Sequence, residues 1–272
     1  MITSTSSSQV KYVVNLQKKA KLRKEEKQFV VEGIKMVSEA PTDRLVKVYI
    51  SETFKADNEE FLERMNYDSI GKDVLEIVTD NVFMRMADTQ TPQGIMAVVR
   101  MTDTDLKGIL SDKRNPLLLI IENLQDPGNL GTIVRMAEGA GVTGIIMSSN
   151  TVDIYNPKTI RSTMGSLYRV PVIYVDDICE AADVCKSKDV TVYAAHLKGT
   201  DNYNKKDYTK PTAFMIGNEG NGLTDKLADK ADEYVRIPMQ GEVESLNAAV
   251  ACTILTLSLI HISEPTRLQL IS

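Results

Sequence analysis

From Leu117 onward, strand-length apolar runs alternate with stretches of helical spacing, and few folds accommodate that pattern. Leu117 to Ile121 is uninterrupted aliphatic sequence, and Gly144 to Met147, Val172 to Val175, Val190 to His196, Thr212 to Gly217 and Tyr234 to Ile237 follow. Helical segments fall between most of them: Asn129 to Ala140, Lys158 to Met164, Ile178 to Lys186, Thr224 to Asp229 and, at the end, Ser245 to Leu255. About six interleaved strands predict an α/β domain with a largely parallel sheet covered on both faces. In such sheets a ligand sits outside the carboxyl ends of the strands, so the loops leaving those ends are where chemistry is expected.

The first hundred residues alternate as well. Helical spacing over 9–24 is followed by a strand at Gln28 to Glu32, a helix at Gly33 to Ala40 and a strand at Leu45 to Ile50. A helix at Lys55 to Met65, a strand at Val74 to Val78, a short helix at Asn81 to Met86 and a strand at Gly94 to Val99 complete it. This predicts a small α/β unit of its own. It carries no paired acids, glycine-rich phosphate loop or nucleophile motif, and reads as a binding module. The polar segment Met101 to Pro116 reads as a linker, so the second domain is expected to start near Pro116.

Net charge is −5, which argues against a uniformly basic nucleic-acid binder. The charge is uneven, however: Lys11 to Lys35 holds eight Lys/Arg against three acids. Lys18, Lys19, Lys21, Arg23 and Lys24 are therefore candidate phosphate contacts, with a solvated helix face as the structural alternative. The three cysteines have no CxxC spacing and form no ligand pattern with His196 or His261, so no metal site is expected. Nothing approaches the roughly 18–20 apolar residues of a membrane span, and Met1 to Gln9 lacks a secretory h-region. Cytoplasm is the expected compartment.

Three loops stand out. Glu122 to Arg135 contains an Asp-Pro-Gly turn, Asn129 as a candidate N-cap, and Arg135 beside a buried stripe. Gly217 to Gly222 is a glycine turn carrying Glu219, neither a P-loop nor a G-x-G-x-x-G fingerprint. Pro238 to Asn247 ends in Ser245 and Asn247, good helix caps. Each residue has a structural reading; three strand ends carrying Asn/Arg, Glu and Ser/Asn together suggest a site. Backbone groups brought close by glycine would suit an adenine or amino-acid moiety.

Taken as a set, Asn129-Leu-Gly-Thr-Ile-Val-Arg135, Phe214-Met-Ile-Gly-Asn-Glu-Gly-Asn-Gly-Leu223 and Ile237-Pro-Met-x-Gly-x-Val-x-Ser-Leu-Asn-Ala-Ala-Val-Ala251 resemble the three motifs of the SpoU–TrmH ribose 2′-O-methyltransferases. The resemblance covers roughly 116–256. Residues 1–105 look like the RNA substrate-binding domain of the ribosomal RNA branch. What it implies is a trefoil-knotted α/β methyltransferase domain, S-adenosylmethionine as methyl donor, and a homodimer with active sites at the subunit interface. By motif, Gly217, Ile237 and Leu246 would contact the cofactor, with Leu197 beside them, and Asn129, Arg135, Glu219, Ser245 and Asn247 would form the polar active-site set. The family assigns its motif-one arginine to activating the 2′-hydroxyl. A guanidinium is effectively never deprotonated, so Arg135 is better read as an orienting donor, held by Asn129 and Glu219. Two domains of this type favour 23S ribosomal RNA, with guanosine preferred. A transfer RNA methyltransferase, or a non-catalytic RNA-binding or ribosome-assembly protein retaining the fold, is the alternative.

Residues 257–272 depart from the family. Leu257-Ser-Leu-Ile-His-Ile-Ser-Glu-Pro-Thr-Arg267 resembles the in-frame translation of a transposase adapter used in sequencing libraries. This stretch is expected to be non-native, and His261 to carry no function.

Overall fold

The computed structural model describes residues 1–65, 74–111, 115–196, 199, 202–243 and 245–263, except for the side chains of residues 262 and 263. The chain divides into two compact units, Met1–Thr102 with Asp153–Tyr168, and Asp103–Val152 with Arg169 onward.

The first unit is built on a four-stranded mixed sheet of order β1-β4-β2-β3, with β1 Gln28–Glu32, β2 Leu45–Ser51, β3 Leu75–Val78 and β4 Ile95–Arg100. β4 runs antiparallel to β1 and β2, while β2 and β3 are parallel. Its helices begin with α1 Ser8–Lys18 and α2 Ala20–Glu26, followed by α3 Ile34–Ser38. Then come α4 Glu52–Asp57, α5 Glu59–Met65 and α6 Asp80–Met86. The single helix expected over 9–24 is two, broken where Lys19 turns extended at φ −114° and ψ 103°. The break leaves the last carbonyls of α1 without helical partners, and Arg23 supplies them. Its Nη1 donates to Leu16 O at 2.6 Å and Gln17 O at 2.8 Å. Nη2 and Nε of the same side chain donate to Asp153 Oδ2 at 2.6 and 3.0 Å. Val10, Val13 and Leu16 pack with Val30, Met96 and Val98 of the sheet.

The excursion Asp153–Tyr168 carries α9 Pro157–Thr163 into this unit. Tyr155 packs on Phe29 with ring centroids 4.7 Å apart. Arg161 Nη1 pairs with Asp88 Oδ2 at 2.6 Å, and Tyr168 Oη donates to Met36 O at 2.8 Å.

The second unit holds a six-stranded sheet of order β10-β8-β9-β5-β6-β7 in which every pairing is parallel. Its strands are β5 Leu117–Ile121, β6 Gly144–Ser148, β7 Val172–Val175, β8 Thr191–Ala195, β9 Thr212–Ile216 and β10 Glu233–Val235. Every residue of β5, β6 and β9 is buried, which is why these strands read as continuous apolar runs. The helices are α7 Leu106–Leu110, α8 Pro127–Gly139, α10 Ile178–Lys186, α11 Asp225–Ala228 and α12 Ala248–Ser263. α12 packs against α8 and β9.

The segment read as a linker is partly core. Asp105 caps α7 by accepting from Gly108 N at 2.7 Å, and Ile109 is 2% exposed within the apolar cluster of this unit. A Cβ on Gly144 would lie 2.4 Å from Ile109 Cγ2, so the glycine makes room for it. The apolar triplet Leu106, Ile109, Leu110 carries a one-turn helical signal that the surrounding Asp and Thr residues obscure.

Candidate active site

In the second unit the chain leaves β5 toward β6 and β7, then crosses to the other side to lay down β8, β9 and β10. β5 and β9 are neighbours, so the strand order reverses beside β5, where a crevice opens at the carboxyl ends. The three candidate loops leave β5, β9 and β10 at that edge.

The first loop turns into α8 through Asp126, not Asn129. Asp126 Oδ1 accepts from Asn129 N at 2.8 Å, with Pro127 in the first turn. Proline is suited to that place because its missing N–H would be unsatisfied there anyway. Asn129 therefore lies inside the helix with its side chain free of capping. Its Nδ2 donates to Glu219 Oε1 at 3.1 Å, and its Oδ1 accepts from Asn247 Nδ2 at 3.0 Å. Asn247 is the N-cap of α12: its Oδ1 accepts from Ala249 N at 2.9 Å. Glu219 further accepts from Asp126 N at 3.0 Å and Gln125 N at 3.2 Å. One hydrogen-bonded row, Asn247–Asn129–Glu219, thus ties the three loops together. Partial burial raises the Glu219 pKa, but the hydrogen bonds from Asn129, Asp126 N and Gln125 N outweigh it and hold the carboxyl below its ordinary value.

Asn218, which sequence reasoning passed over, organises the glycine turn. Its Oδ1 accepts from Gly220 N at 2.9 Å and Asn221 N at 3.1 Å, and its Nδ2 donates to Asn123 O at 2.8 Å. Backbone bonds between Asn218 and Gly222, 3.0 and 2.9 Å, close the loop on itself. The legible signal is an Asn two residues ahead of a glycine, an Asx turn. Gly217 is needed for the same closure: a Cβ there would lie 2.1 Å from Gly222 C and 2.2 Å from Leu223 N. The close approach it permits is to its own loop.

Beneath the loop lies a cavity of about 310 Å³. Gly217, Ile237 and Leu246 line it, as does Ser245, together with Ile216, Leu223 and Leu255. Leu197 falls outside the described residues. The lining mixes apolar side chains with the residues of the glycine turn, His196 and Arg236. Ala248, the first residue of α12, lines it as well, and the cavity suits a ligand with an apolar part and a small polar tail.

Arg135 does not join the row. It is exposed on α8, and its side chain makes no hydrogen bond or ion pair with a described residue. Six residues past Asn129, it is about 9 Å further along the axis and about 120° around it. Within this chain Asn129 and Glu219 bond each other, and neither bonds Arg135. Arg23 leaves the basic set too: at 3% exposed it is committed to Asp153 and the end of α1. Lys18, Lys19, Lys21 and Lys24 remain exposed. The three cysteines are buried and unpaired, and desolvation pushes the Cys252 thiol up to about 12. Among the described residues there is no group of three or more His, Cys, Asp or Glu able to hold a metal ion, and no helix long and apolar enough to cross a membrane.

Residues 116–257 match the SpoU rRNA Methylase family. The chain belongs to that family. Residues 7–97 match the MRM3-like substrate binding domain. A 23S rRNA (guanosine(2553)-2′-O)-methyltransferase from Bacillus subtilis is 35% identical over 185 residues, 66% of this chain and 69% of the relative. Among solved structures, the AdoMet-bound rRNA methyltransferase from Sinorhizobium meliloti has a TM-score of 0.81 at 28% identity, covering 96% of this chain and 97% of that one. The SpoU methyltransferase AviRb from Streptomyces viridochromogenes has a TM-score of 0.82 at 26% identity, covering 96% and 99%. The resemblance carried by the three motifs is borne out, as are the parallel α/β fold and the methyltransferase class of the enzyme.

Proposed function

We propose that this protein transfers the methyl group of S-adenosylmethionine to a ribose 2′-hydroxyl of ribosomal RNA, in the large subunit and at a guanosine. The observation that carries this reading is the cavity of about 310 Å³ beside the Asn247–Asn129–Glu219 row. One is shaped for a small amphipathic cofactor; the other is a preorganised polar edge. Ile216, Leu223, Ile237 and Leu246 would hold the adenine, and the backbone of the glycine turn its polar edges. The bound donor supplies a methyl group on a positively charged sulfur. The chain's part is to bring the ribose oxygen into line with it, and positioning of this kind accounts for much of catalysis.

Glu219, Asn129 and Asn247 hold the three loops in register, and Ser245 faces the hydroxyl from the cavity wall. Arg135 orients the RNA phosphate and stabilises negative charge developing on the oxygen, while its guanidinium stays protonated. Because Arg135 lies off the row, we read the protein as a homodimer in which each Arg135 serves the other copy's cavity. Val250, 46% exposed on α12 next to Asn247, supports a covered face there. The domain is proposed to carry the family's trefoil knot. Residues 1–105, through Lys18, Lys19, Lys21 and Lys24, would grip structured RNA, 116–256 would perform transfer, and 257–272 would be foreign sequence. Cytoplasm is the proposed compartment.

Incubating the protein with total RNA and labelled donor, then mapping 2′-O-methyl positions, tests this. A single labelled guanosine in 23S RNA is expected. Label in transfer RNA would favour the transfer RNA alternative; RNA binding without label would favour a non-catalytic role. Arg135→Ala should abolish methylation while donor affinity stays within about twofold. Mixed with inactive Asn247→Ala protein it should recover about a quarter of wild-type activity, since half the dimers carry one intact site. No recovery would place Arg135 in its own subunit's site.

A further inference from the structure

We infer that Arg236 is the residue that grips the carboxylate of the methyl donor's amino-acid end, an assignment that rests on the proposed function. Arg236 follows β10 at its carboxyl end and lines the cavity between Val235 and Ile237. It and Glu219 are the charged residues among those lining it, with His196 the other titratable one. Glu219 is already committed through both carboxylate oxygens to Asn129 and the first loop. The Arg236 side chain makes no hydrogen bond or ion pair with any described residue, whereas Lys206 pairs with Glu233, Lys186 with Asp232, and Lys230 with Asp183.

The backbone beneath it is fixed from two sides. Tyr203 N donates to Arg236 O at 3.1 Å, and Asn202 bridges to it in parallel register. On the other side, buried Gly199 is pressed so close that a Cβ would lie 3.2 Å from Val235 C and 3.3 Å from Arg236 N. A guanidinium on an anchored backbone, without a side-chain partner and at the wall of a cavity whose one other charged residue, Glu219, is already committed, is a receptor for a carboxylate or phosphate oxygen. Its place in the wall of the cavity favours the small molecule over the RNA backbone.

The test uses the full-length chain and titrates S-adenosylmethionine and its decarboxylated analogue, which keeps the sulfonium and the amine, by calorimetry. Wild-type protein should bind the analogue about tenfold or more weakly, the scale of a lost charge-assisted hydrogen bond. Arg236→Met should weaken the donor to a similar degree and leave the analogue's affinity where wild type has it, and Arg236→Lys should recover part of the loss. In turnover, the defect should fall on the donor's KM. Equal wild-type affinity for the two compounds would overturn the assignment. So would a rise confined to the KM for RNA, which would make Arg236 a phosphate contact. Failure of wild type to bind either compound would sink the cofactor reading itself, a result distinct from failure of Arg236 alone.

Discussion

Glu219 accepts from one side chain and two backbone amides, and this fixes the sign of its response to acid. A carboxyl whose folded pKa is lowered contributes stability above its unfolded value, 4.5 here, and loses it as pH falls through the folded value. The melting-temperature difference between wild type and Glu219→Gln should be steady near neutrality and shrink below about pH 4.5. A difference that grows in acid would mean the carboxylate is strained rather than supported. Arg23 makes the opposite point about charge. Its side chain is 4% exposed against Asp153, so Asp153→Ala leaves a cation buried without its partner and should cost roughly 3–5 kcal/mol in urea unfolding. Arg23→Met with Asp153→Leu should recover most of that loss. From sequence, Arg23 was indistinguishable from its lysine neighbours: a count of positive charges is blind to burial, and its partner lies 130 residues away. Glu219, Asn129 and Asn247 were legible because polar residues recur at three strand ends, but their bonding to one another, and not to Arg135, is a matter of helix phase.

At the level of elements, strands read more clearly than their surroundings. β5, β6 and β9 are buried along their whole length, so their composition declares them. Helix ends were displaced where side chains compete for the cap: Asp126 rather than Asn129 opens α8 because Pro127 belongs in the first turn. α7 was missed because five residues are too few to establish a period. The glycine turn gives the sharpest test. Gly217→Ala places a methyl about 2 Å from the backbone of Gly222 and Leu223, and neither can yield without opening the Asn218–Gly222 closure. The variant should keep its circular dichroism spectrum and lose donor binding by about tenfold or more. Unchanged affinity would show that the turn does not shape the cavity floor.

Over the whole molecule, Lys18, Lys19, Lys21 and Lys24 are exposed on the first unit, while the polar row and the cavity belong to the second. Replacing the four lysines with glutamine should raise the KM for RNA and flatten its dependence on salt, with donor affinity unchanged. A shift in donor affinity would mean the patch acts through folding. The strand order β10-β8-β9-β5-β6-β7 also bears on how the protein is made. β9, Thr212–Ile216, is the strand that joins β5 to β8, yet it is translated about 90 residues after β5. During synthesis the aliphatic edge of β5 therefore waits with its hydrogen-bonding groups open until β9 leaves the ribosome. An unpaired apolar edge of this kind is a template for misassociation. The nascent chain should depend on chaperones, and translational pausing before residue 212 should be the step at which its yield is lost.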